Sequence, residues 1–313
     1  LVRSFEGLLR WEHPVRGSIS PATLVRVAEG SPLIDELCRW SLIQACRDAL
    51  EWPEELGVSV NISARQLLSP DFCDVVEDAL LQTGLAAARL ELEISERVFQ
   101  GDVYAAEDML AHLRKLGVKL ALDGFGAGHF PLGHLSEAPF DRIKIGQGLV
   151  SGCIADEGGS AAVLSAIIHL ARGLSMQSTL TGIEAMDELA AIAKLGADML
   201  QGYVFAEPAP QAEVLARLAA GDLRYVPSGP KQFRSERRSV LRRVGVIHGD
   251  THYISLMRNL SRTGAMIEGL LNVPVGTELV LDLGEGQLVV ATVRRSRDSV
   301  QGLEFESPLI NDG

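Results

Sequence analysis

Polar side chains recur where short β-like runs end, in the region from residue 57 to residue 205. They are Asn61, Glu93, Asp123, Lys144, Glu184 and Gln201. When parallel strands close into a barrel, their C-terminal ends meet at one face, and active sites lie there. Any single member of the set is also compatible with a capped loop or a solvated strand end. Together they predict one polar site made of carboxylates, amides and an ammonium group.

The elements that would position this site alternate between strand-like and helix-like patterns. The strand candidates are residues 58–62, 90–95, 118–122, 142–145, 178–183 and 199–205, and the helix candidates are 103–116, 159–173 and 186–195. A strand and a helix repeating about every 30 residues predict βαβ units and a parallel sheet. An open doubly wound sheet and a closed (β/α)8 barrel both fit. No glycine-rich phosphate loop follows a strand, which disfavours the dinucleotide and P-loop versions.

The pattern changes after residue 218. Pro227, Gly229 and Pro230 predict a linker over 223–233. Short β candidates then follow at close spacing, at 244–247, 253–257, 265–268, 278–283, 287–294 and 302–305. We therefore expect an α/β domain over 1–222 and an all-β domain, a small β-barrel, over 234–313.

The charge is unevenly distributed between these two parts. The chain has a formal net charge of −12, but residues 234–313 contain 10 arginines, no lysine and 10 acidic residues, so they are neutral. The acidic excess therefore lies in residues 1–233. It argues against nonspecific DNA binding. A basic run from Lys231 to Arg243 marks the entrance to the second part.

The sequence favours a cytoplasmic protein. No apolar run approaches the roughly 18–20 residues that span a bilayer, and no signal peptide is recognisable. The cysteines form no CxxC pair, so neither a zinc site nor a disulfide framework is predicted. Because the chain opens on Leu1, we expect it to be a fragment.

A series of motifs in residues 1–222 resembles the EAL family of cyclic di-GMP phosphodiesterases. In order, the motifs are Phe5-Glu6-Gly7-Leu8-Leu9-Arg10-Trp11, Ile19-Ser20-Pro21, Val60-Asn61-Ile62-Ser63, Glu93-Ile94-Ser95-Glu96, Asp123-Gly124-Phe125-Gly126, Lys144-Ile145-Gly146, Gly182-Ile183-Glu184 and Gln201-Gly202-Tyr203. The resemblance implies a (β/α)8-type barrel. The family's usual first strand is absent before Phe5, so we expect a barrel without it, incomplete unless another segment fills that place.

The resemblance also implies roles for individual residues. In active members, carboxylates and an asparagine hold two divalent cations, Mg²⁺ or Mn²⁺, which activate a water against the phosphodiester. The implied metal ligands are Glu6, Asn61, Glu93 and Asp123. The other implied site residues are Lys144, Glu96 and Glu184 in the catalytic centre and Arg10 as a contact to the substrate phosphate.

Three departures from the family pattern predict that hydrolysis is lost. Gly124, Gly146 and Thr181 stand where the family has carboxylates. Neutral residues cannot restore those charges, and glycine has no side chain to ligate a cation. We expect Mg²⁺ or Mn²⁺ only if the site retains metal binding. The barrel then serves as a regulatory scaffold, or as a dimerisation scaffold in a homodimer.

The second domain resembles the PilZ family of cyclic di-GMP receptors. Arg234 and Arg238 form an RxxxR motif, and Asn259, Ser261 and Gly264 form the [D/N]xSxxG motif that follows it in the family. An arginine guanidinium offers fixed donors to phosphate oxygens and to a guanine edge. The resemblance implies that these residues bind cyclic di-GMP. A solvated linker followed by a β-turn is the alternative interpretation.

The leading hypothesis is a cyclic di-GMP receptor that binds the nucleotide through its PilZ-like domain and signals to a protein partner not identified by the sequence. One alternative is an active metal-dependent phosphodiesterase gated by that domain. Another is a protein-interaction module that has lost nucleotide binding.

Overall fold

The computed structural model describes residues 1–14, 17–19, 21–100, 103–126, 130, 132–135, 138–155, 159–231, 238–249, 251–261, 264–271, 273–284, 288–297 and 299–305. The chain divides into two compact units, Leu1–Phe233 and Arg234–Gly313. No helix in the described ranges is both long enough and apolar enough to cross a membrane.

The first unit alternates strands with helices. Its strands are β1 (Ser4–Gly7), β2 (Trp11–His13), β3 (Gly17–Ile19), β4 (Gly57–Ile62), β5 (Leu90–Ser95), β6 (Lys119–Phe125), β7 (Arg142–Ile145), β8 (Gln177–Leu180) and β9 (Met199–Leu200). Its α-helices are α1 (Pro21–Glu29), α2 (Leu33–Leu50), α3 (Ala64–Leu67), α4 (Phe72–Thr83), α5 (Val103–Lys115), α6 (Gln147–Ala155), α7 (Gly159–Gly173), α8 (Met186–Ile192) and α9 (Gln211–Ala219). Short 3-10 turns occupy Ala87–Arg89, Glu96–Gln100 and Leu132–His134.

The main sheet has seven strands in the order β1-β4-β5-β6-β7-β8-β9, and every neighbouring pair is parallel. Spatial order follows chain order throughout. A doubly wound sheet reverses direction part-way, so that alternative is wrong and the barrel type is confirmed. The sheet is open, because β1 and β9 do not pair in the described part of the chain. The strands β2 and β3 form a separate antiparallel hairpin.

Burial on both faces of the sheet explains its apolar strands. Leu90, Leu92 and Ile94 of β5 are fully buried, and Glu91 and Glu93 on the opposite face are buried as well. Burying one large aliphatic side chain contributes about 1.5–3 kcal/mol. The predicted strands are confirmed, but β8 ends earlier than expected and β9 has only two residues. The chain turns at Gly182, whose φ of 73° favours glycine.

The second unit is a closed antiparallel barrel of six strands. They are β10 (Arg238–His248), β11 (Thr251–Ser261), β12 (Gly264–Glu268), β13 (Glu278–Asp282), β14 (Leu288–Arg297) and β15 (Val300–Phe305), in the order β10-β11-β12-β15-β14-β13. Closure leaves no exposed sheet edge. A separate apolar core fills this barrel. The expectation of a small β-barrel is confirmed.

Residues 223–230, which we call the strap, follow α9 and bond back to earlier segments of the first unit, to which they belong. The amide of Val2 donates to the carbonyl of Leu223 at 2.9 Å, and the amide of Ser228 donates to the carbonyl of Val204 at 2.7 Å. Near its end, the carbonyl of Pro230 accepts from the amide of Met186 at 3.0 Å. The predicted linker thus begins with a segment held against the first unit.

Gly264 predicts a measurable packing effect. A Cβ at this position would collide with the carbonyl oxygen of Leu303, whereas a Cβ at Gly302 would meet the Cβ of Arg295 at an ordinary 3.5 Å. Because overpacking costs about 1–3 kcal/mol, we expect Gly264→Ala to lower the unfolding temperature of the second unit. Gly302→Ala is the matched control and should change it little. Calorimetry on the full chain measures both, and equal shifts would contradict this packing account.

Candidate functional site

A polar cluster lies at the C-terminal ends of the parallel strands. Its charged members come from four strands of the sheet: Glu6 from β1, Glu93 from β5, Asp123 from β6 and Lys144 from β7. Asn61 lies on β4, and the ladder pairs it directly with Glu93. Local capping ends β4 just beyond Asn61, because Ser63 and the Gln66 side chain cap α3 reciprocally.

The buried ammonium of Lys144 holds the cluster together. Its Nζ donates to Glu6 Oε2 at 3.0 Å and also forms an ion pair with Glu93 Oε2. The Lys144 and Glu93 side chains are 5% and 2% exposed, and that of Glu6 is 15% exposed. Water therefore screens these ion pairs little.

Amide groups orient the Glu6 carboxylate. Asn61 Nδ2 donates to Glu6 Oε1 at 2.6 Å, and Gln201 Nε2 donates to Glu6 Oε2 at 2.6 Å. Gln201 follows β9, so its contact with Glu6 crosses the open side of the sheet. The sequence predicts that Gln201 lies at the site, but it does not predict which residue Gln201 contacts.

The cluster shifts the proton affinities of its members. Burial raises the pKa of Glu93 to about 7, with the Glu6 charge adding to the rise and Lys144 opposing it. Burial also raises the pKa of Asp123, and the positive charge of Lys144 again opposes the rise. Burial favours neutral Glu6, but Lys144 and the two amide donors outweigh it and lower the pKa of that carboxyl. Burial would lower the pKa of Lys144, yet its carboxylate neighbours raise it, so Lys144 stays charged.

The positions that depart from the family pattern lie beside this cluster and supply no anionic ligand. A Cβ at Gly146 would lie 3.9 Å from the Cα of Gly124, so these two glycines are close neighbours. The hydroxyl of Thr181 donates to the carbonyl of Ile145 at 3.0 Å. Across the described ranges, no group of three or more His, Cys, Asp or Glu side chains is arranged to hold a metal ion.

The remaining predicted residues of the first unit lie around the cluster. Glu96 is buried in the turn after β5. The backbone amide of Glu184 donates to Glu188, and Glu184 lines an open cleft of about 420 Å³ with Tyr203 and residues of the strap. Arg10 is exposed, and its guanidinium donates to the carbonyl of Leu9 at 2.8 Å. That bond turns Arg10 to its own backbone rather than to the cluster.

The sequence reasoning missed a second buried ion pair on the same strands. Arg142 Nε donates to Glu91 Oε2 at 2.9 Å, with side chains 8% and 9% exposed. The signal was present in β5, where Glu91 and Glu93 are two residues apart and therefore share a face. Both ion pairs lie on that face of β5.

The register of the second unit brings its two predicted motifs together. Arg238 pairs with Leu260 across the β10–β11 ladder, and Ser239 pairs with Asn259. The backbone of Arg238 is therefore next to the strand that carries Asn259 and Ser261. Arg234 lies outside the described residues.

Two members of the second motif have packing roles. Ser261 is buried, and its hydroxyl donates to the carbonyl of Gly264 at 3.0 Å. Gly264 permits close approach of the β15 backbone. The Oδ1 of Asn259 is buried and has no hydrogen-bond partner among the described residues. Asn259 is thus the motif residue with an unused acceptor.

Comparisons with known proteins find relatives of the first unit. The model of the EAL domain matches residues 1–208. The chain is 35% identical over 215 residues to the cyclic di-GMP phosphodiesterase NbdA of Pseudomonas aeruginosa, covering 67% of this chain and 27% of that protein. It is 37% identical over 234 residues to a signaling protein of Caulobacter vibrioides, covering 75% of this chain and 29% of that one.

Solved structures are similar to the same part of the chain. The EAL enzyme Bd1971, in a form with cAMP and cyclic di-GMP bound, superposes with a TM-score of 0.65 at 31% identity, covering 69% of this chain and 60% of that one. The PaMucR phosphodiesterase in complex with cyclic di-GMP gives 0.63 at 33% identity, with coverages of 67% and 86%. The chain spans between 26% and 32% of the length of the first curated relatives.

Replacing Lys144 with methionine would leave the carboxylates of Glu6 and Glu93 without their counter-charge. Because removing one partner of a buried ion pair costs about 3–5 kcal/mol, we expect the free energy of unfolding of the first unit to fall by about that amount. Urea unfolding followed by tryptophan fluorescence reports on this unit, since every tryptophan lies in it.

A double variant separates the ion pair from simple loss of packing. Adding Glu93→Gln to Lys144→Met removes one of the two unpaired charges, that of Glu93, so the double variant should lose less stability than the sum of the single variants. The exposed Arg39–Asp78 pair is a control, and Arg39→Ala should change stability little. Strict additivity at Lys144 and Glu93 would contradict the coupling.

Proposed function

Because the chain belongs to the EAL-domain family, we propose that it is a cyclic di-GMP receptor whose first unit no longer hydrolyses the nucleotide. The relatives support the ligand class: NbdA is named as a cyclic di-GMP phosphodiesterase, and PaMucR was solved with cyclic di-GMP. The observation that carries the loss of hydrolysis is the neighbouring pair of neutral residues, Gly124 and Gly146, beside the acidic cluster.

The acidic cluster does not fit a pair of divalent cations as it stands. No group of three or more His, Cys, Asp or Glu side chains in the described ranges is arranged to hold an ion, and Lys144 already pairs with the carboxylates of Glu6 and Glu93. A single Mg²⁺ or Mn²⁺ would have to displace Lys144 from those carboxylates. A second cation would find no anionic ligand at the two glycines or at Thr181. Hydrolysis by two metals, which lie about 3.5–4 Å apart in such sites, therefore lacks its ligands here.

What the chain's own residues do follows from their contacts. Asn61 and Gln201 fix the orientation of Glu6, and Lys144 offsets part of the acidic charge of the cluster. Because water screens charges little in a buried site, this offset lowers the repulsion that a dianionic nucleotide would meet there. These residues support binding of the nucleotide without an activated water.

Restoring the missing carboxylates tests the loss of hydrolysis. We expect the wild-type chain to form no linear pGpG from cyclic di-GMP with Mg²⁺ or Mn²⁺. The triple variant Gly124→Asp, Gly146→Asp, Thr181→Glu should raise turnover at least about tenfold above background, since it supplies ligands for a second cation. Open space surrounds a Cβ at Gly124, and aspartate tolerates its φ of 73° better than most residues.

The matched control carries amides of the same size, namely Gly124→Asn, Gly146→Asn, Thr181→Gln. It should remain inactive, because it adds bulk without charge. Chromatography of the products measures both variants. Turnover by the wild-type chain would instead establish the active phosphodiesterase.

We propose that the second unit is the PilZ-like receptor domain. The closed barrel, the register between Arg238 and the Asn259 strand, and the unpaired Asn259 Oδ1 support this assignment. A guanine edge offers N–H donors that suit such an acceptor, and because this Oδ1 is buried, the Asn259 side chain has to turn outward to meet them. The arginines preceding β10 suit the phosphates.

A row across the outer face of the barrel adds support. The ladders align Asn259, Met266, Gly302 and Arg295 on β11, β12, β15 and β14. Their neighbours Ile267 and Leu303 are buried, so this row faces outward. Gly302 leaves a flat place beside the exposed Arg295, where a planar base can approach the backbone.

Calorimetric titration of the full chain with cyclic di-GMP tests the receptor assignment. Hydrogen bonds to charged groups contribute about 1.5–3 kcal/mol each, so Arg234→Ala with Arg238→Ala should weaken binding by at least about tenfold. Asn259→Ala should weaken it as well. Arg39→Ala removes the same kind of charge in the first unit and is the control. Unchanged affinity in the arginine variant would reject the assignment, and absence of heat in the wild-type chain would favour the interaction module.

A further inference from the structure

The contact between Glu6 and Gln201 crosses the opening of the sheet. In the ranges that the structure describes, β1 pairs only with β4 and β9 pairs only with β8. Gln201 Nε2 nevertheless lies 2.6 Å from Glu6 Oε2. Since no ladder joins β1 to β9, another element must set the width of this opening.

The strap, residues 223–230, is bonded to both sides of that opening. On one side, the carbonyl of Leu223 accepts from Val2, two residues before β1 begins. On the other side, Ser228 donates to the carbonyl of Val204.

Backbone hydrogen bonds continue from that second side to the site. The amide of Val204 donates to the carbonyl of Ile183 at 3.0 Å, and the amide of Ile183 donates to the carbonyl of Gln201 at 3.1 Å. A continuous set of bonds thus leads from Ser228 to the residue that contacts Glu6.

The strap also packs as an edge strand does. Leu223, Tyr225 and Pro227 are half-buried, and the residues between them are exposed, which is a period of two. The guanidinium of Arg217 lies 3.9 Å from the centre of the Tyr225 ring. Gly229 lies close to Glu184, where an added Cβ would be 3.1 Å from the carbonyl oxygen. The strap is therefore held along its length.

We propose that the strap is a positioning element that sets the Glu6–Gln201 contact, and so the affinity of the first unit for a cyclic dinucleotide. The part about affinity rests on the proposed function, and the part about geometry does not. Releasing Ser228 from Val204 removes the strap's bond to the segment that carries Gln201. The backbone of Gln201 then keeps its bonds to Leu180 and Ile183, and its side chain holds Glu6 less firmly.

Removing one backbone donor tests the geometry. Ser228→Pro deletes the N–H that bonds Val204, and the proline before it, Pro227, favours the extended conformation that a following proline requires. We expect the amides of residues 199–205 and of β1 to exchange hydrogen about threefold to tenfold faster in the full chain, with β5 and β6 unchanged. Mass spectrometry of hydrogen exchange measures this.

Two controls isolate the bond. Ser228→Ala keeps the N–H and should match the wild-type chain. Val226→Pro adds a proline at an exposed position whose N–H bonds to nothing in the described ranges, and it should also match. Equal exchange in Ser228→Pro and Val226→Pro would overturn the proposal. If Ser228→Pro does not fold, hydrogen exchange in the wild-type chain tests the bond instead. The amide of Ser228 must then be protected from exchange, while the amide of Val226 exchanges freely.

A nucleotide titration tests the affinity. In a chain that already carries Arg234→Ala and Arg238→Ala, Ser228→Pro should weaken binding of cyclic di-GMP by about threefold to tenfold while the chain stays folded at the temperature of the titration. Ser228→Ala should leave affinity unchanged. If the parent chain binds no nucleotide, binding by the first unit in the proposed function fails, and the exchange experiment still judges the strap. Faster exchange with unchanged affinity would overturn the role in binding.

Discussion

The burial of the Lys144 ammonium is the constraint on which the first unit depends. A charge taken out of water is stable only when nearby partners replace its hydration. Glu6 and Glu93 supply those partners from β1 and β5, while Lys144 itself comes from β7. The ion pairs therefore form only when three separate strands have their correct register. The fold and the polar site are one arrangement, held by the same charges.

Local sequence patterns predict the strands but not which face is interior. In β5 the alternation of leucine and glutamate correctly predicts a strand. On a sheet with one solvated face, as in many antiparallel sheets, the glutamates would face water. In the structure both faces are buried, and Glu91 and Glu93 meet Arg142 and Lys144, each 51 residues away along the chain. Pairings at that separation are decided by the tertiary arrangement of the strands, which a window of ten residues does not contain.

The same limit applies to the contacts that orient Glu6. Gln201 is recognisable in the sequence as a polar residue at a strand end, but its partner lies 195 residues away. The strap is a stronger case, because Pro227, Gly229 and Pro230 are typical of a linker. Proline and glycine do break regular elements. They do not prevent an extended segment from bonding through the amides and carbonyls that remain.

Charge balance links the neutral positions to the stability of the cluster. Carboxylates in addition to the present three would repel one another in a buried site unless cations were bound, since like charges at low dielectric interact strongly. Gly124 and Gly146 add no charge, so a single ammonium and hydrogen bonds from Asn61 and Gln201 are enough to hold Glu6 in its ionised form. Gly124 and Gly146 therefore supply no ligand for a second cation, and the cluster needs no second cation to balance its charge. A site of this composition folds around its own lysine, which takes the place beside Glu6 and Glu93 that a cation would need.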